Sequence, residues 1–256
     1  MSDSPNGRKV IVRGSDEEAA AFVAELFKAI VCEAVGMHGV CYVTLAGGTT
    51  PRTLYGMLAA GAVSGEVPWD KLEVFFGDER DVPHDHVESN FHMVQRVLLD
   101  HLPVPVSHVH PMHAHGPDPD ASAAEYEQSI RDKVPSDSRG MPRFDLILLG
   151  MGADGHVASL FPSCECVEER KKLVLNCFVP VLGRKRMTFT LPLINAARNV
   201  ILLVTGRDKA GAVAALLGDD REARKDLPAA GVEPADGSLF MVLDAAAASR
   251  AGPVTG

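Results

Sequence analysis

The chain has 256 residues, 46% of them hydrophobic, and a formal net charge of −9 at neutral pH. A chain of this length buries roughly 70–75% of its unfolded surface, enough for one α/β domain, and its acidic balance argues against a nucleic-acid partner, which needs a basic face. No stretch approaches the roughly 20 apolar residues that span a bilayer, and neither MSDSPNGRKV nor AGPVTG carries an apolar leader or an address, so the expected setting is cytoplasmic, away from the membrane.

Lys9–Val12 is a short β-branched run, and Ser15 with Glu18 forms a capping box opening a helix to about Val35, apolar at Phe22, Leu26, Ala29 and Ile30. Val40–Ala46 reads as a buried strand running directly into Gly47-Gly48-Thr49-Thr50-Pro51 and a helix. Paired glycines followed by proline at a first helical position build a helix N-terminus with free N–H groups, an anion site helped by the Thr49 and Thr50 hydroxyls. Trp69–Phe76 is a third strand, followed by Gly77-Asp78-Glu79-Arg80, either a solvated charged loop or part of a site. Ser89 caps a further helix. The segment 101–120 is rich in Pro and His, and it reads as a surface loop. His108 and His110 would share one face of a strand and could ligate zinc, but no acid or cysteine nearby completes a set with them, His113 or His115. Ala121–Lys133 is a moderately amphipathic helix.

The chain is organised around FDLILLGMGADGHVASLFP, residues 144–162. Its apolar run fits a strand buried on both faces of a parallel sheet. Asp154 and His156 follow among Gly150, Gly152 and Gly155, at the strand end where open α/β sheets bind ligands. Residues 150–155 formally spell G-x-G-x-x-G. A dinucleotide fold would need a long helix next and an acid about 20 residues on. Pro162 cuts any helix, and the next strand ends in Val179-Pro180, which argues against nicotinamide binding. An Asp-Gly-His catalytic turn is the better reading.

Leu173–Val179 and Arg186–Leu191 alternate as two strands, paired through Gly183-Arg184-Lys185, with Arg186, Thr188 and Thr190 on one face. Arg186 beside a phosphate would bind it bidentately. Val200–Thr205 is another buried strand, and Lys209 beyond it adds positive charge where a helix opens. Leu239–Leu243 closes the sheet. Cys32, Cys41 and Cys177 lie in apolar segments and read as small buried hydrophobes. Cys164-x-Cys166 is a weak metal signal without a second pair, so no metal site is expected, and the compartment is reducing. Strand–helix alternation throughout implies a doubly wound, mostly parallel sheet with helices on both faces, read as a single domain over 1–256. The polar clusters 47–51, 78–80, 150–156 and 206–209 all follow strands and converge on one sheet edge.

These blocks resemble the 6-phosphogluconolactonase family: Thr44–Pro51, Gly77–Arg80 with Ser89-Asn90, Gly150–Pro162, Arg186-Met187-Thr188 and Gly206-x-x-Lys209. The resemblance runs from about residue 8 to 243. It implies the Rossmann-like fold shared with glucosamine-6-phosphate deaminase and hydrolysis of a sugar phosphate lactone in the pentose phosphate pathway. In the deaminase the Asp-Gly-His block continues Ile-Ala-Phe-Asn-Glu, and the glutamate assists ring opening. Here Val157-Ala158-Ser159-Leu160-Phe161 puts phenylalanine in its place, and Asp78-Glu79-Arg80 replaces Asp-Glu-Tyr.

The resemblance implies that Gly47, Gly48, Thr49, Thr50, Arg186 and Lys209 hold the phosphate, with Arg80 a second cation. His156 would be the general base on water. Asp154 would orient the imidazole or the water, Asp78 would position sugar hydroxyls, and Gly152 and its neighbours would offer N–H groups to the oxyanion. Such a hydrolysis needs no cofactor. The expected assembly is a monomer or weak homodimer. A deaminase-like isomerase and a non-catalytic sugar-phosphate-binding module are the alternatives.

Overall fold

The computed structural model describes residues 8–61 and 64–252. The segments MSDSPNG and PVTG, parts of the termini read above for a leader or an address, lie outside the described residues. Among the described residues ten strands form in chain order: β1 (Arg8–Arg13), β2 (Cys41–Leu45), β3 (Leu72–Phe76), β4 (Asp78–Arg80), β5 (Val109–His110), β6 (Leu146–Gly150), β7 (Val174–Val179), β8 (Arg184–Phe189), β9 (Asn199–Val204) and β10 (Ser238–Asp244). The α-helices are α1 (Asp16–His38), α2 (Thr50–Ala59), α3 (Asn90–Val97), α4 (Pro119–Lys133), α5 (Leu191–Ile194), α6 (Ala210–Leu217) and α7 (Arg221–Lys225). No described helix is long and apolar enough to cross a membrane.

Seven strands make a wholly parallel sheet in the order β1-β10-β9-β6-β2-β3-β5. Its centre explains the continuous apolar runs: Leu146, Ile147, Leu148 and Leu149 of β6 and Val200–Val204 of β9 are all buried. A strand covered on both faces has no polar side to alternate with. The chain winds outward from β2 through β3 to β5, then returns beside β2 as β6 and winds the other way through β9 to β10. The order therefore reverses between β2 and β6, and open α/β sheets bind ligands outside the strand ends at that point.

The second sheet is small and antiparallel, in the order β4-β8-β7. It corrects the loop reading of 78–80, because Asp78, Glu79 and Arg80 pair with Thr188, Met187 and Arg186. Glu79 is fully buried, accepting from Asn90 N at 2.7 Å, Phe91 N at 2.9 Å and Ser89 Oγ at 2.9 Å. Its charge thus caps the start of α3, where the free N–H groups and the helix dipole favour an anion. Strand β8 begins two residues earlier than expected, and Leu191 opens α5 instead of ending it. Phe144 joins the sheets, with Phe75 of β3 at 5.2 Å and Phe189 of β8 at 5.6 Å between ring centroids.

Three local readings change. Ser15 Oγ accepts from Glu18 N at 3.2 Å, but the Glu18 carboxylate takes Gly14 N rather than closing a full capping box. Cys32 is exposed on α1, not a buried hydrophobe. His110 lies on edge strand β5 instead of in a surface loop, with Nε2 2.6 Å from Glu73 of β3; His108 Nε2 is 3.8 Å from the same carboxylate. The acid missing from the local sequence comes from the neighbouring strand.

Candidate active site

At the switch point a cavity of about 320 Å³ is lined by Gly47, Gly48, Thr49, Thr50, Asp78, Arg80, Gly152, His156, Arg186 and Lys209, among others. Every candidate residue except Asp154 faces this space. A wider groove of about 950 Å³ beside Pro162 and α7 contains none of them. The cavity draws on loops after β2, β6 and β9 and on the small sheet, as the convergence of polar clusters requires.

The β2–α2 loop is built around an uncapped helix start. Thr49 occupies the cap position, but its side chain accepts no capping hydrogen bond, so the ordinary threonine-capped turn is not what forms. Gly47 is needed because a Cβ there would lie 1.8 Å from Asn90 Oδ1. Asn90 in turn donates through Nδ2 to Asp78 O at 2.9 Å and Asp78 Oδ1 at 3.0 Å. From below, buried Tyr55 of α2 accepts from Ala46 N at 2.9 Å and donates to Ala46 O at 2.8 Å. Tyr55→Phe leaves a buried N–H without its acceptor and is expected to destabilise the fold by about 1–3 kcal/mol, read from chemical denaturation. An unchanged midpoint would mean that this bond does not hold the loop.

Asp154 is exposed and outside the cavity lining, its Oδ1 2.6 Å from His156 Nδ1 and 3.2 Å from His156 N. An ionised carboxylate only accepts, so in the neutral imidazole Nδ1 carries the proton and Nε2 keeps the lone pair. The pair presses on Gly152, where a Cβ would lie 2.1 Å from His156 Nδ1 and 2.5 Å from Asp154 Oδ1. Phe161 stacks on the imidazole, with 4.1 Å between centroids and an interplanar angle of 23°. No helix forms between Gly150 and Glu165, contrary to the dinucleotide-binding motif. Gly152 N donates to His156 O at 2.9 Å and Gly155 N to Gly152 O at 3.0 Å. The oxyanion role expected of the whole glycine turn therefore narrows to N–H groups not already engaged, Gly152's excluded.

Two further side chains, Ser159 and Asp244, have no role in the sequence reading. Ser159 donates from Oγ to Asp78 Oδ2 at 2.7 Å, so both Asp78 oxygens are engaged in a buried setting. Asn90 holds the other oxygen. Asp244, at the end of β10, accepts from Gly206 N at 3.1 and 3.0 Å and from Ala247 N at 2.7 Å, fixing the turn that carries Lys209. The partners Ser159–Asp78 and Asp244–Gly206 are distant in sequence, whereas Asn90 was legible as part of the Ser89-Asn90 block.

Arg80 and Arg186 are register partners on β4 and β8. Burial first, and then the Arg80 charge, lowers the pKa of the Arg186 guanidinium. Among the described residues the Arg186 side chain donates no hydrogen bond, and Arg80 Nε is buried without a partner. Among the described residues the Lys209 ammonium pairs with its neighbour Asp208, at 2.5 Å. Two adjacent guanidiniums, an ammonium and an uncapped helix start around one cavity have the chemistry that attracts an anion.

Residues 14–241 match the family model described as glucosamine-6-phosphate isomerases/6-phosphogluconolactonase. The chain is 38% identical over 256 residues to a 6-phosphogluconolactonase of Streptomyces coelicolor, covering 98% of this chain and 96% of the relative. It is 37% identical over 232 residues to one of Synechocystis sp., covering 88% and 93%. The solved 6-phosphogluconolactonase of Trypanosoma brucei superposes with a TM-score of 0.81 at 29% identity, covering 94% of this chain and 98% of that one. A monomeric glucosamine-6-phosphate deaminase shares the fold, with a TM-score of 0.78 at 22% identity, covering 94% and 99%. The chain belongs to the glucosamine-6-phosphate isomerase/6-phosphogluconolactonase family.

Proposed function

We propose that this chain hydrolyses 6-phospho-D-glucono-1,5-lactone to 6-phosphogluconate, the lactonase step of the oxidative pentose phosphate pathway and the activity named for its relatives. One observation carries the reading: the free nitrogen of a carboxylate-anchored imidazole shares a 320 Å³ cavity with Arg80, Arg186 and Lys209. The phosphate would lie against the Gly47–Thr50 backbone and these cations. His156 Nε2 takes a proton from water as the oxygen attacks the lactone carbonyl, and the ring returns the proton to the leaving ring oxygen. Asp154 fixes the tautomer and supports the imidazolium as it forms. Asp78, held by Ser159 and Asn90, would position sugar hydroxyls.

The deaminase alternative needs a proton-transferring side chain where the family resemblance puts its glutamate. Phe161 occupies that position, and its ring stacked on His156 transfers no proton. A binding-only module would have no use for a carboxylate-anchored imidazole with a free nitrogen. We read residues 1–256 as one catalytic domain, supported by the joined apolar core, acting as a monomer or weak homodimer. The free thiols support a cytoplasmic setting.

The test is lactone disappearance above the spontaneous rate, with the phosphorylated lactone generated in place. Saturable acceleration is expected. No acceleration by folded protein would remove the assignment, and deamination of glucosamine 6-phosphate would then be assayed. Saturable nicotinamide binding would revive the dinucleotide-binding reading of Gly150–Gly155. Asp154→Asn is expected to lower kcat by about tenfold or more with little change in KM, because an amide can hold the ring in the wrong tautomer and does not stabilise the imidazolium. A change in KM alone would place Asp154 in substrate binding instead.

A further inference from the structure

Behind the candidate active site, three cysteines that looked unrelated in sequence meet in the core. Cys164 and Cys166 flank the start of a short 3₁₀ turn, and Cys177 comes from β7. Their Sγ atoms all lie within 4.8 Å of one another, and each residue is no more than 7% exposed. The sequence reading of Cys164-x-Cys166 as a pair without completion thus missed its third member, which strand pairing supplies.

A fourth donor is present. The Ser159 carbonyl oxygen lies 3.6 Å from Cys177 Sγ and 3.9 Å from Cys166 Sγ. A tetrahedral zinc ion with Zn–S of about 2.3 Å and Zn–O of about 2.1 Å sets its sulfurs about 3.8 Å apart and its oxygen about 3.6 Å from each sulfur. The Ser159 oxygen already stands at that spacing from two of the thiols. The contact to be opened is Cys164 Sγ to Cys166 Sγ, now 2.8 Å, which rotation of the Cys164 side chain would lengthen.

We propose that Cys164, Cys166, Cys177 and the Ser159 carbonyl form a structural binding site for a thiophilic divalent cation of the zinc class. On binding, three thiols release three protons to solvent and three thiolates enclose the dication, leaving one net negative charge. Buried thiols packed this closely gain little from redox access, whereas a closed, water-free sulfur set is the environment of structural zinc. The site stands back to back with the cavity through Ser159, whose carbonyl faces the thiols while its hydroxyl donates to Asp78. Metal binding would therefore fasten the residue that holds Asp78. This inference rests on the thiol geometry and is independent of the lactonase reading.

The test uses the full chain, reduced and stripped of metal. Titration with Cd²⁺ should produce a sulfur-to-metal charge-transfer band saturating at one equivalent. X-ray absorption of the zinc-loaded protein should show three sulfur scatterers and one lighter atom. Cys177→Ser should weaken binding at least about tenfold, and Cys32→Ser should leave it unchanged. If Cys177→Ser fails to fold, thiol labelling of the wild type decides: one equivalent of Cd²⁺ should slow labelling of Cys164, Cys166 and Cys177 together, leaving Cys32 unaffected. Absence of the band, nitrogen and oxygen scatterers alone, or labelling rates indifferent to metal would overturn the proposal.

Discussion

His156→Ala is expected to lower kcat for lactone hydrolysis by about 10²–10⁴-fold, the usual contribution of a general base. The thermal unfolding midpoint should stay close to that of the parent. The ring is a partly exposed member of the cavity wall, with its side chain 30% accessible, so truncating it opens a wet cavity rather than a dry core void. What it removes is the lone pair on Nε2. That lone pair is available because Asp154 accepts from Nδ1 at 2.6 Å, and the ring is oriented because Phe161 stacks against it and Gly152 leaves room for it. The measurement is saturation kinetics above the spontaneous rate, paired with a melting curve. A variant with near-parental kcat would remove His156 from the base role, whereas lost activity with a collapsed melt would show a structural role instead.

The parts of this molecule legible in the sequence are those whose physics is local. Strand β6 announces itself because a strand covered on both faces is apolar without interruption, and the Gly47–Pro51 turn because glycine and proline act on their own backbone. The clustering of four polar segments at one sheet edge was also legible, since parallel strands carry their carboxyl ends to the same side. What escaped was set by partners distant in the chain. Residues 78–80 look like a charged loop until β8 supplies their ladder, and Glu79 looks solvated until α3 supplies the N–H groups it accepts. Ser159, Asp244 and the third thiol, Cys177, acquire meaning only through long-range contacts. Cys32 was misread for a related reason: an apolar neighbourhood in sequence does not say which side of a helix faces outward, and this one is exposed.

Arg186→Ala is expected to raise KM for the phosphorylated lactone by roughly 10–100-fold with kcat little changed. That range corresponds to hydrogen bonds to a charged group worth about 1.5–3 kcal/mol, at 1.4 kcal/mol per tenfold. Burial first, and then the neighbouring Arg80 charge, lowers the pKa of Arg186, partly offset by the carboxylates of Asp78, Glu79 and Glu88. Arg80 Nε has no acceptor. A phosphate dianion between the two guanidiniums reverses each of these terms: it provides acceptors, offsets the like charges and replaces lost hydration. Arg186→Ala should move the unfolding midpoint little, because the like-charge contact with Arg80 that it relieves is offset by the lost attraction of Asp78, Glu79 and Glu88. The control is the same lactone without its phosphate, on which parent and variant should perform equally poorly. Lys209→Ala should behave similarly but more weakly, since its ammonium is a single point charge already shared with Asp208. A fall in kcat with KM unmoved would place Arg186 at the reacting carbonyl, and equal losses on both lactones would sever it from the phosphate.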